Sequence, residues 1–388
     1  MKNVIIRAPL LSCSGYGVHS RQIFKWLLTR KDFNVVTQVV SWGTTSWMID
    51  PNLEDGLIGE VMNRSRPLSD NADITFQVQL PDEWDPKLGK FNVGVSAFVE
   101  TDRCNPDWIK RIDLMDLVIV PTEHVRDTIM RSGSPRTPVV VIPESYLEEI
   151  DQNPEPLPLE LDTKFNFLVL GQFTGNDPYN DRKNLLCTLK WMFEVFKDDP
   201  DVGIIIKTNH GRGTKIDREI TRQKVVSVIN EIRKGPYPKL HLLHGNLTSS
   251  EIASLYRVES IRCLVSLTRG EGFGLPILEA ASSGIPVIAT NWSGHLDFLN
   301  LGKFIPINYS IVEIPSNRVD GRIFVDGLRW ADPDENDFKK KVKKFRDNYL
   351  KPSQWASELS SRLKDTFSQS AINMKYDALI DSEHWRKD

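Results

Sequence analysis

Two carboxylates with seven residues between them, Glu271 and Glu279, bracket the point where a loop enters a helix. The loop follows an apolar run typical of a buried strand and carries three glycines, and Pro276 then stands where the first turn of a helix would begin. Such a helix start presents free N–H groups and the positive end of the helix dipole, which favour an anion. A carboxylate beside a bound phosphate would be repelled, so each glutamate should meet sugar hydroxyls instead. The pattern therefore indicates a sugar-nucleotide site.

The eighteen-residue string that starts at Glu271, EGFGLPxxEAxxxGxPVI, resembles the carboxylate–seven–carboxylate motif of the retaining GT-B glycosyltransferases of family 4, the glycosyl transferases group 1. The resemblance implies an α/β protein of the GT-B type, with two Rossmann-like domains facing a central cleft. It also implies retaining transfer of a sugar, of the hexosyl type, from a nucleotide sugar to a glycan, lipid-linked or other hydroxyl acceptor. The alternative is that these glycine, proline and glutamate residues only form the turn and helix start of a Rossmann-like crossover and bind no ligand.

The composition is that of an ordinary water-soluble globular protein. The 388 residues suffice for two domains, and a formal net charge of −3 gives no support to nucleic-acid binding. The four cysteines stand far apart, which indicates neither a disulfide framework nor a zinc site. The N-terminus lacks the features of a signal peptide, and no apolar stretch is long enough for a membrane span. These observations predict a cytoplasmic protein, with a peripheral membrane contact left open.

Short apolar runs alternate with helical patterns along the chain, which predicts parallel sheets covered on both sides. Prolines at 154, 156 and 158 indicate an extended linker. We therefore predict an acceptor-side domain at 1–155 and a nucleotide-sugar domain at 156–365. The resemblance implies that a last helix, 366–388, crosses back onto the first domain.

The chain opens with a strand, a glycine loop and a helix from Arg21, as doubly wound domains do. The loop lacks GxGxxG, so NAD binding is not indicated. The resemblance places this loop near the donor phosphates and the acceptor, with Gly17 on the donor side and Tyr16 on the acceptor side; a plain tight turn is the alternative. A second acceptor-side candidate is Glu100, where a predicted strand at 92–99 ends. Many relatives carry a histidine near this point, and a role in capping the following turn is the alternative.

Two basic residues, Arg182 and Lys183, precede a predicted helix at 185–196. Basic residues oppose the dipole at a helix N-terminus, but they suit the binding of an anion. The family has a glycine–arginine pair after the preceding strand, and here Gln172 replaces that arginine. By resemblance, Lys183 is the better candidate for the donor pyrophosphate, with Arg182 as its neighbour. A solvated surface pair is the alternative.

The resemblance also assigns the remaining roles. Glu279 holds the ribose hydroxyls, and Glu271 contacts the transferred sugar, so that Glu271 and Lys183 are the catalytic candidates. The loop at Leu247 offers backbone groups to the base. The full donor-binding set is Gly17, Arg182, Lys183, Lys207, Leu247, Glu271, Gly272, Phe273, Gly274, Leu275 and Glu279.

We expect no cofactor and no metal. Two Asp-x-Asp triplets, 199–201 and 332–334, precede a strand and a helix respectively and do not follow a buried strand, so they lie away from the edge where open α/β sheets bind ligands. Two other classes of function remain open. One is a nucleotide-sugar epimerase or hydrolase on the same scaffold. The other is a non-catalytic sugar-nucleotide-binding protein, which Gln172 and Glu100 would favour.

Overall fold

The computed structural model describes residues 1–68, 71–175, 177–233 and 235–382. Its contacts divide the chain into two compact units: unit 1, which contains residues up to Ser145 and again from Thr366, and unit 2, Tyr146–Asp365. The proline-rich segment at 151–158 belongs to unit 2, where the Leu157 N–H donates to the Ser254 carbonyl over 3.0 Å. The last residues of the predicted helix 366–388, from 383 onward, lie outside the described residues.

Unit 1 is built on a parallel sheet. In the described part of the chain its strand order is β2-β1-β3-β4-β5-β6. The strands are β1 Lys2–Ala8, β2 Phe33–Val39, β3 Ala72–Val78, β4 Gly89–Val95, β5 Leu117–Val120 and β6 Val139–Val141. The helices between them are α1 Gly15–Thr29, α2 Leu57–Asn63, α3 Pro106–Ile112 and α4 Glu123–Ser132.

The start of α1 differs from the sequence prediction. The Ser14 side chain caps the helix by accepting the Gly17 N–H over 3.1 Å, so Tyr16 and Gly17 lie in its first turn and not in a loop. A side chain at Gly17 would place a Cβ 2.0 Å from the Ser12 carbonyl oxygen. This glycine is therefore required by the close approach of the preceding backbone, and not by a turn.

The predicted strand at 92–99 is wrong at its end. Strand β4 stops at Val95, where its pairing with β5 ends at Ile119, and Phe98 has a positive φ of 52° that extended backbone does not adopt. Glu100 therefore lies in a bend five residues beyond the strand, half-buried, and does not end it.

Unit 2 holds a second parallel sheet, of order β12-β11-β10-β7-β8-β9 among the described residues, and an antiparallel pair, β13 with β14. The strands are β7 Phe165–Leu170, β8 Val202–Thr208, β9 Lys239–His244, β10 Ile261–Ser266, β11 Val287–Thr290, β12 Ile305–Ile307, β13 Tyr309–Glu313 and β14 Arg329–Pro333. The helices are α5 Leu185–Val195, α6 Lys215–Ile232, α7 Ser249–Leu255, α8 Leu275–Ser282, α9 Leu296–Leu299, α10 Glu335–Asp347 and α11 Leu350–Phe367. The prediction of two Rossmann-like domains is confirmed.

Two features of unit 2 correct the sequence analysis. Residues 303–330, expected to be irregular, supply β12 to the sheet and form most of the β13–β14 pair. Asp332, which we predicted to precede a helix, lies inside β14; Asp334 does precede a helix and caps α10 by accepting the Asp337 N–H over 2.7 Å.

A further helix, α12 Gln369–Asp381, completes unit 1. Tyr376 stacks on Trp26 with 4.7 Å between ring centroids, and Asp377 accepts hydrogen bonds from the Trp26 indole over 2.9 Å and from Arg30 over 3.0 Å. Ile372 and Ile380 are buried in the same apolar core as β1 and α1. This helix therefore forms part of the core of unit 1.

Candidate active site

The two glutamates lie on a turn and a helix at the carboxyl end of β10. The turn passes through Gly274, whose φ of 103° is left-handed, and α8 begins at Leu275, with Pro276 in its first turn. The predicted order of strand, turn and helix is therefore correct, with the helix starting one residue before Pro276. Ligands of open α/β sheets bind at this edge.

Glu271 is buried between two cations. Its Oε1 lies 2.6 Å from Lys183 Nζ and its Oε2 lies 3.4 Å from the Arg182 guanidinium, which also donates to the Gly270 carbonyl over 2.8 Å. Burial alone would raise the pKa of Glu271, but the charges of Lys183 and Arg182 lower it to about 2. The structure thus brings three of the predicted site residues into one ion-paired cluster.

A buried aspartate, Asp181, orders the loop that carries the two cations. Asp181 accepts hydrogen bonds from the Thr174 N–H over 3.0 Å and from the Leu185 N–H over 2.8 Å. It thereby ties the loop before α5 to the first residue of that helix. The only sequence signal is an aspartate four residues before a helix start, which is common at helix N-termini.

The Arg269 side chain also holds the loop before α5. Its buried guanidinium donates to the carbonyls of Pro178 and Asp181 over 3.0 and 2.6 Å, and it forms an ion pair with Asp332 over 2.9 Å. The Asp181 carbonyl directly precedes Arg182. Arg269 therefore links the β10 turn to the segment that carries both cations.

The loop after β11, which contains Ser293 and Gly294, also holds the turn that carries Glu271. Ser293 Oγ accepts the Glu271 N–H over 2.9 Å, and the Gly294 N–H donates to the Glu271 carbonyl over 2.9 Å. Ser293 has a φ of 88°, a strained value for a residue with a side chain, and a Cβ on Gly294 would lie 2.2 Å from the Gly272 carbonyl oxygen. Both backbone groups of Glu271 are therefore held, which positions its carboxylate.

His295, two residues after Ser293, is fully buried beside this turn. Its Nε2 lies 2.7 Å from the Thr290 carbonyl oxygen, which can only accept, so Nε2 carries the proton. Burial lowers the pKa of His295. A neutral imidazole therefore packs against the Glu271 cluster, where Gly274 leaves room for it.

Glu279 is buried on α8 in a different environment. The Tyr256 hydroxyl donates to Glu279 Oε2 over 3.2 Å, and burial raises the pKa of this carboxyl group to about 8. Near neutral pH Glu271 is therefore ionised, whereas most Glu279 is protonated. The two carboxyl groups are set for different tasks.

Lys207 and Leu247 lie away from Glu271 in the sheet order, since Lys207 is near the carboxyl end of β8, two strands from β10, and Leu247 follows β9, three strands from β10. Lys207 Nζ donates to the Gly245 carbonyl over 2.6 Å, and burial lowers its pKa to about 8. Lys207 therefore holds the loop that carries Leu247, which is half-buried. The structure joins these two residues to each other through Gly245 and places them apart from the Glu271 cluster.

The predicted residues of unit 1 lie at the carboxyl edge of its own sheet. The Tyr16 hydroxyl shares a 2.9 Å hydrogen bond with Ser96 Oγ and accepts the Ala97 N–H over 3.1 Å, and burial raises its pKa. Gly17 follows in the same helix turn. Glu100 lies five residues after β4.

Neither a metal cluster nor a membrane-spanning helix is found in the described ranges. Within them no three His, Cys, Asp or Glu side chains are grouped so that they could hold a metal ion. The helices of those ranges are also too short or too polar to cross a membrane.

The comparisons with known proteins agree with this geometry. Residues 226–317, which include both glutamates, match the family model described as Glycosyl transferases group 1. The resemblance of the Glu271 motif to the glycosyl transferases group 1 is thereby confirmed. No curated protein sequence matches the chain.

Solved structures similar to the whole chain are glycosyltransferases of the GT-B fold. A sucrose-phosphate synthase from Thermosynechococcus elongatus is 14% identical, with 98% of each chain covered and a TM-score of 0.65. A glycosyltransferase from Rickettsia africae is 14% identical, with 100% of this chain and 99% of the other covered and a TM-score of 0.64. Anabaena HepE, solved with UDP and glucose, is 13% identical, with 98% and 99% covered and a TM-score of 0.58.

The chain therefore has the GT-B fold. Together with the match over residues 226–317, the fold supports a glycosyltransferase.

Proposed function

We propose that this protein is a retaining glycosyltransferase, which transfers a hexosyl group from a nucleotide-sugar donor to a hydroxyl acceptor. The observation that carries the proposal is the cluster of Lys183, Arg182 and Glu271 at the carboxyl end of β10. Two cations and one carboxylate leave an excess of positive charge beside the N-terminus of α8. Such a place suits the diphosphate of a sugar nucleotide.

The proposed roles follow from the two carboxyl environments. Lys183 and Arg182 bind the diphosphate together with the backbone N–H groups of 272–275. Glu271 is ionised and accepts hydrogen bonds from hydroxyls of the transferred sugar. Glu279 accepts hydrogen bonds from the ribose.

In the proposed reaction the bond between the anomeric carbon and the phosphate oxygen breaks as the acceptor oxygen bonds to the same face of that carbon. The leaving phosphate takes the proton of the acceptor hydroxyl. Negative charge grows on the diphosphate during this step, so Lys183 and Arg182 stabilise the transition state more than the ground state.

The test is turnover with a panel of UDP-, GDP- and ADP-sugars, measured as nucleoside diphosphate released with and without added acceptors. We expect Lys183→Ala to lower turnover on the order of 10²–10³-fold, since one preorganised charge is removed. Lys190→Ala, an exposed lysine of α5, serves as the matched control and should be silent. Equal turnover in Lys183→Ala and the control would reject the proposed site.

Product analysis separates this function from its alternatives. Retaining transfer gives a product whose anomeric configuration, read by NMR, equals that of the donor. Free sugar as the sole product in the presence of acceptors indicates a hydrolase, and a changed sugar on an intact nucleotide indicates an epimerase. Donor binding without any turnover indicates a binding protein.

A further inference from the structure

Residues 309–333 form a hairpin layer with an apolar core of its own. Strand β13 pairs antiparallel with β14, and the rings of Phe324 and Trp330 meet edge-on with 6.1 Å between centroids. Ile314 and Leu328 are buried in the same cluster. Among the described residues, neither strand pairs with the parallel sheet of unit 2. The segment therefore lies outside the Rossmann-like sheet and is ordered by its own packing.

Arg318 joins this segment to the loop before α5, which carries Lys183. Its guanidinium donates to the Thr174 carbonyl over 3.1 Å. The Thr174 hydroxyl accepts the Lys183 N–H over 3.3 Å and donates to Asp181 over 2.7 Å. Arg318 is itself held, because its guanidinium carbon lies 4.7 Å from the centroid of the Phe324 ring. Thr174 therefore connects Arg318 directly to the backbone of Lys183.

Two further contacts hold the same loop. The Asn317 amide donates to Asp177 Oδ2 over 3.0 Å. Asp332 forms its ion pair with Arg269, whose guanidinium also donates to the Asp181 carbonyl over 2.6 Å. Residues of the hairpin layer therefore hold the loop before α5 at several points, in part directly and in part through Arg269.

The same segment also packs against the turn that carries Glu271. Trp292 lies at the start of the loop after β11, which holds this turn, and its ring centroid is 6.4 Å from that of Tyr309. The Ala331 N–H donates to the carbonyl of Arg269, two residues before Glu271, over 3.1 Å. One ordered segment therefore contacts both the loop before α5 and the turn of Glu271.

We propose that residues 309–333 set the distance between Lys183 and Glu271, and that Arg318 is a positioning residue for Lys183. The inference rests on the proposed glycosyltransferase function, and it names the part of the fold that keeps the site in register. Strand β7 and helix α5 fix only the two ends of the loop at 171–184. A misplacement of about 1 Å at a reacting centre can lower the rate on the order of 100-fold, so the middle of this loop must be held as well.

The first experiment needs no donor and follows hydrogen–deuterium exchange on the full chain. Arg318→Ala should speed exchange in the loop at 171–184 about tenfold, since a hydrogen bond from a charged group is lost and exchange reports local opening. Arg318→Lys, which keeps a donor for the Thr174 carbonyl, should restore most of the protection. Arg346→Ala removes an ion pair with Asp199 in the same unit and is the matched control, which should leave this loop unchanged. Equal exchange in Arg318→Ala and the wild type overturns the inference.

The second experiment asks whether Arg318 acts through Lys183. With the donor and acceptor found in the turnover panel, Arg318→Ala should lower kcat about tenfold or more, whereas Arg346→Ala should leave it unchanged. In the Lys183→Ala background the loss should shrink to about threefold or less, because only Arg182 is then left to misplace. Equal fold-losses in the two backgrounds would mean that Arg318 acts independently of Lys183, and would overturn its positioning role.

The two experiments fail in different ways. Absence of turnover with every donor rejects the proposed function, and with it a positioning role in catalysis, yet the exchange experiment still decides whether residues 309–333 hold the loop. Turnover that depends on Lys183 but not on Arg318 supports the proposed function and overturns the inference.

Discussion

Lys183 Nζ and Glu271 Oε1 lie 2.6 Å apart, although 88 positions separate the two residues in the chain. The carboxylate thus pairs with the lysine that we assign to the diphosphate. On that assignment we expect the diphosphate to compete with Glu271 for Lys183, so that the carboxylate is released to accept sugar hydroxyls.

Glu271→Gln should lower turnover while nucleoside diphosphate affinity is kept or increased. The amide removes a negative charge beside Lys183 and Arg182, which strengthens their potential for the diphosphate, but it accepts sugar hydroxyls less well than a carboxylate. Isothermal titration with the nucleoside diphosphate, alongside turnover, checks both parts. A fall in diphosphate affinity as large as that of Glu279→Ala would show that the roles of the two glutamates are exchanged.

The part of the nucleoside diphosphate affinity that Glu279 supplies should rise about tenfold between pH 7 and pH 9. The pKa of Glu279 is about 8, so this carboxyl group ionises over that interval and becomes the stronger acceptor for ribose hydroxyls. The terminal phosphate is already ionised there, since its second pKa is about 6. Titrations at several pH values compare the wild type with Glu279→Gln, because Lys207, whose pKa is also about 8, titrates in both proteins. Parallel profiles for the two proteins would argue against the ribose assignment.

The raised pKa of Glu279 also makes the free energy of unfolding depend on pH. The folded-state pKa of Glu279 is raised above the ordinary value of 4.5, so the folded state binds more protons than the unfolded state between these pH values. Its contribution to stability is therefore present below pH 4.5 and is lost as the pH rises toward 8. Thermal unfolding of Glu279→Gln should lack this component of the pH dependence.

Tyr256→Phe should move the midpoint of the pH dependence that Glu279 gives to nucleoside diphosphate affinity to higher pH. The Tyr256 hydroxyl donates to Glu279 and thereby lowers its pKa against the effect of burial, so the loss of the hydroxyl lets the pKa rise further. Tyr349→Phe, also in unit 2, is the control and should leave the midpoint where it is. If Tyr256 served packing alone, its variant would change unfolding temperature without moving the midpoint.

Transfer should need no divalent metal. One aspartate of each triplet is already ion-paired: Asp332 with Arg269 over 2.9 Å, beside the β10 turn, and Asp199 with Arg346 over 3.1 Å. Lys183 and Arg182 supply the positive charge that a cation would otherwise bring. Turnover in excess EDTA should therefore equal that of the untreated protein. Loss of turnover, restored by magnesium or manganese, would contradict the proposed mechanism.

The sequence predicted best where local signals decide the structure. Pro276 and the glycines mark the turn into α8, and Thr122, a residue type favoured at helix N-termini, caps α4 with its side chain accepting the Val125 N–H over 3.1 Å. Helix α6 was missed although Val225, Ile229 and Ile232 pack on the core at helical spacing, because the exposed Ile216, Ile220 and Val226 obscure that stripe in the sequence. The start of α1 was misplaced because glycines suggested a loop where the Ser14 cap holds a helix.

The site itself depends on contacts that no local pattern contains. Lys183 was chosen for its place before a helix, but its distance from Glu271 is set by how β7 and β10 pair and by the Arg269 hydrogen bonds to the loop. The strained Ser293 and the buried His295 have no signature of their own in a single sequence. Their roles became visible only in the folded chain.

Helix α12 makes unit 1 discontinuous in sequence, and this fixes an order of events during synthesis. Trp26, on α1, and the strands of the first sheet leave the ribosome early. Tyr376, which stacks on the Trp26 ring, follows only after all of 146–365 has been made. Unit 2 has its complete sequence before unit 1 does. Residues 1–145 of the nascent chain therefore wait with part of their apolar core uncovered until α12, which is made after all of unit 2, closes it.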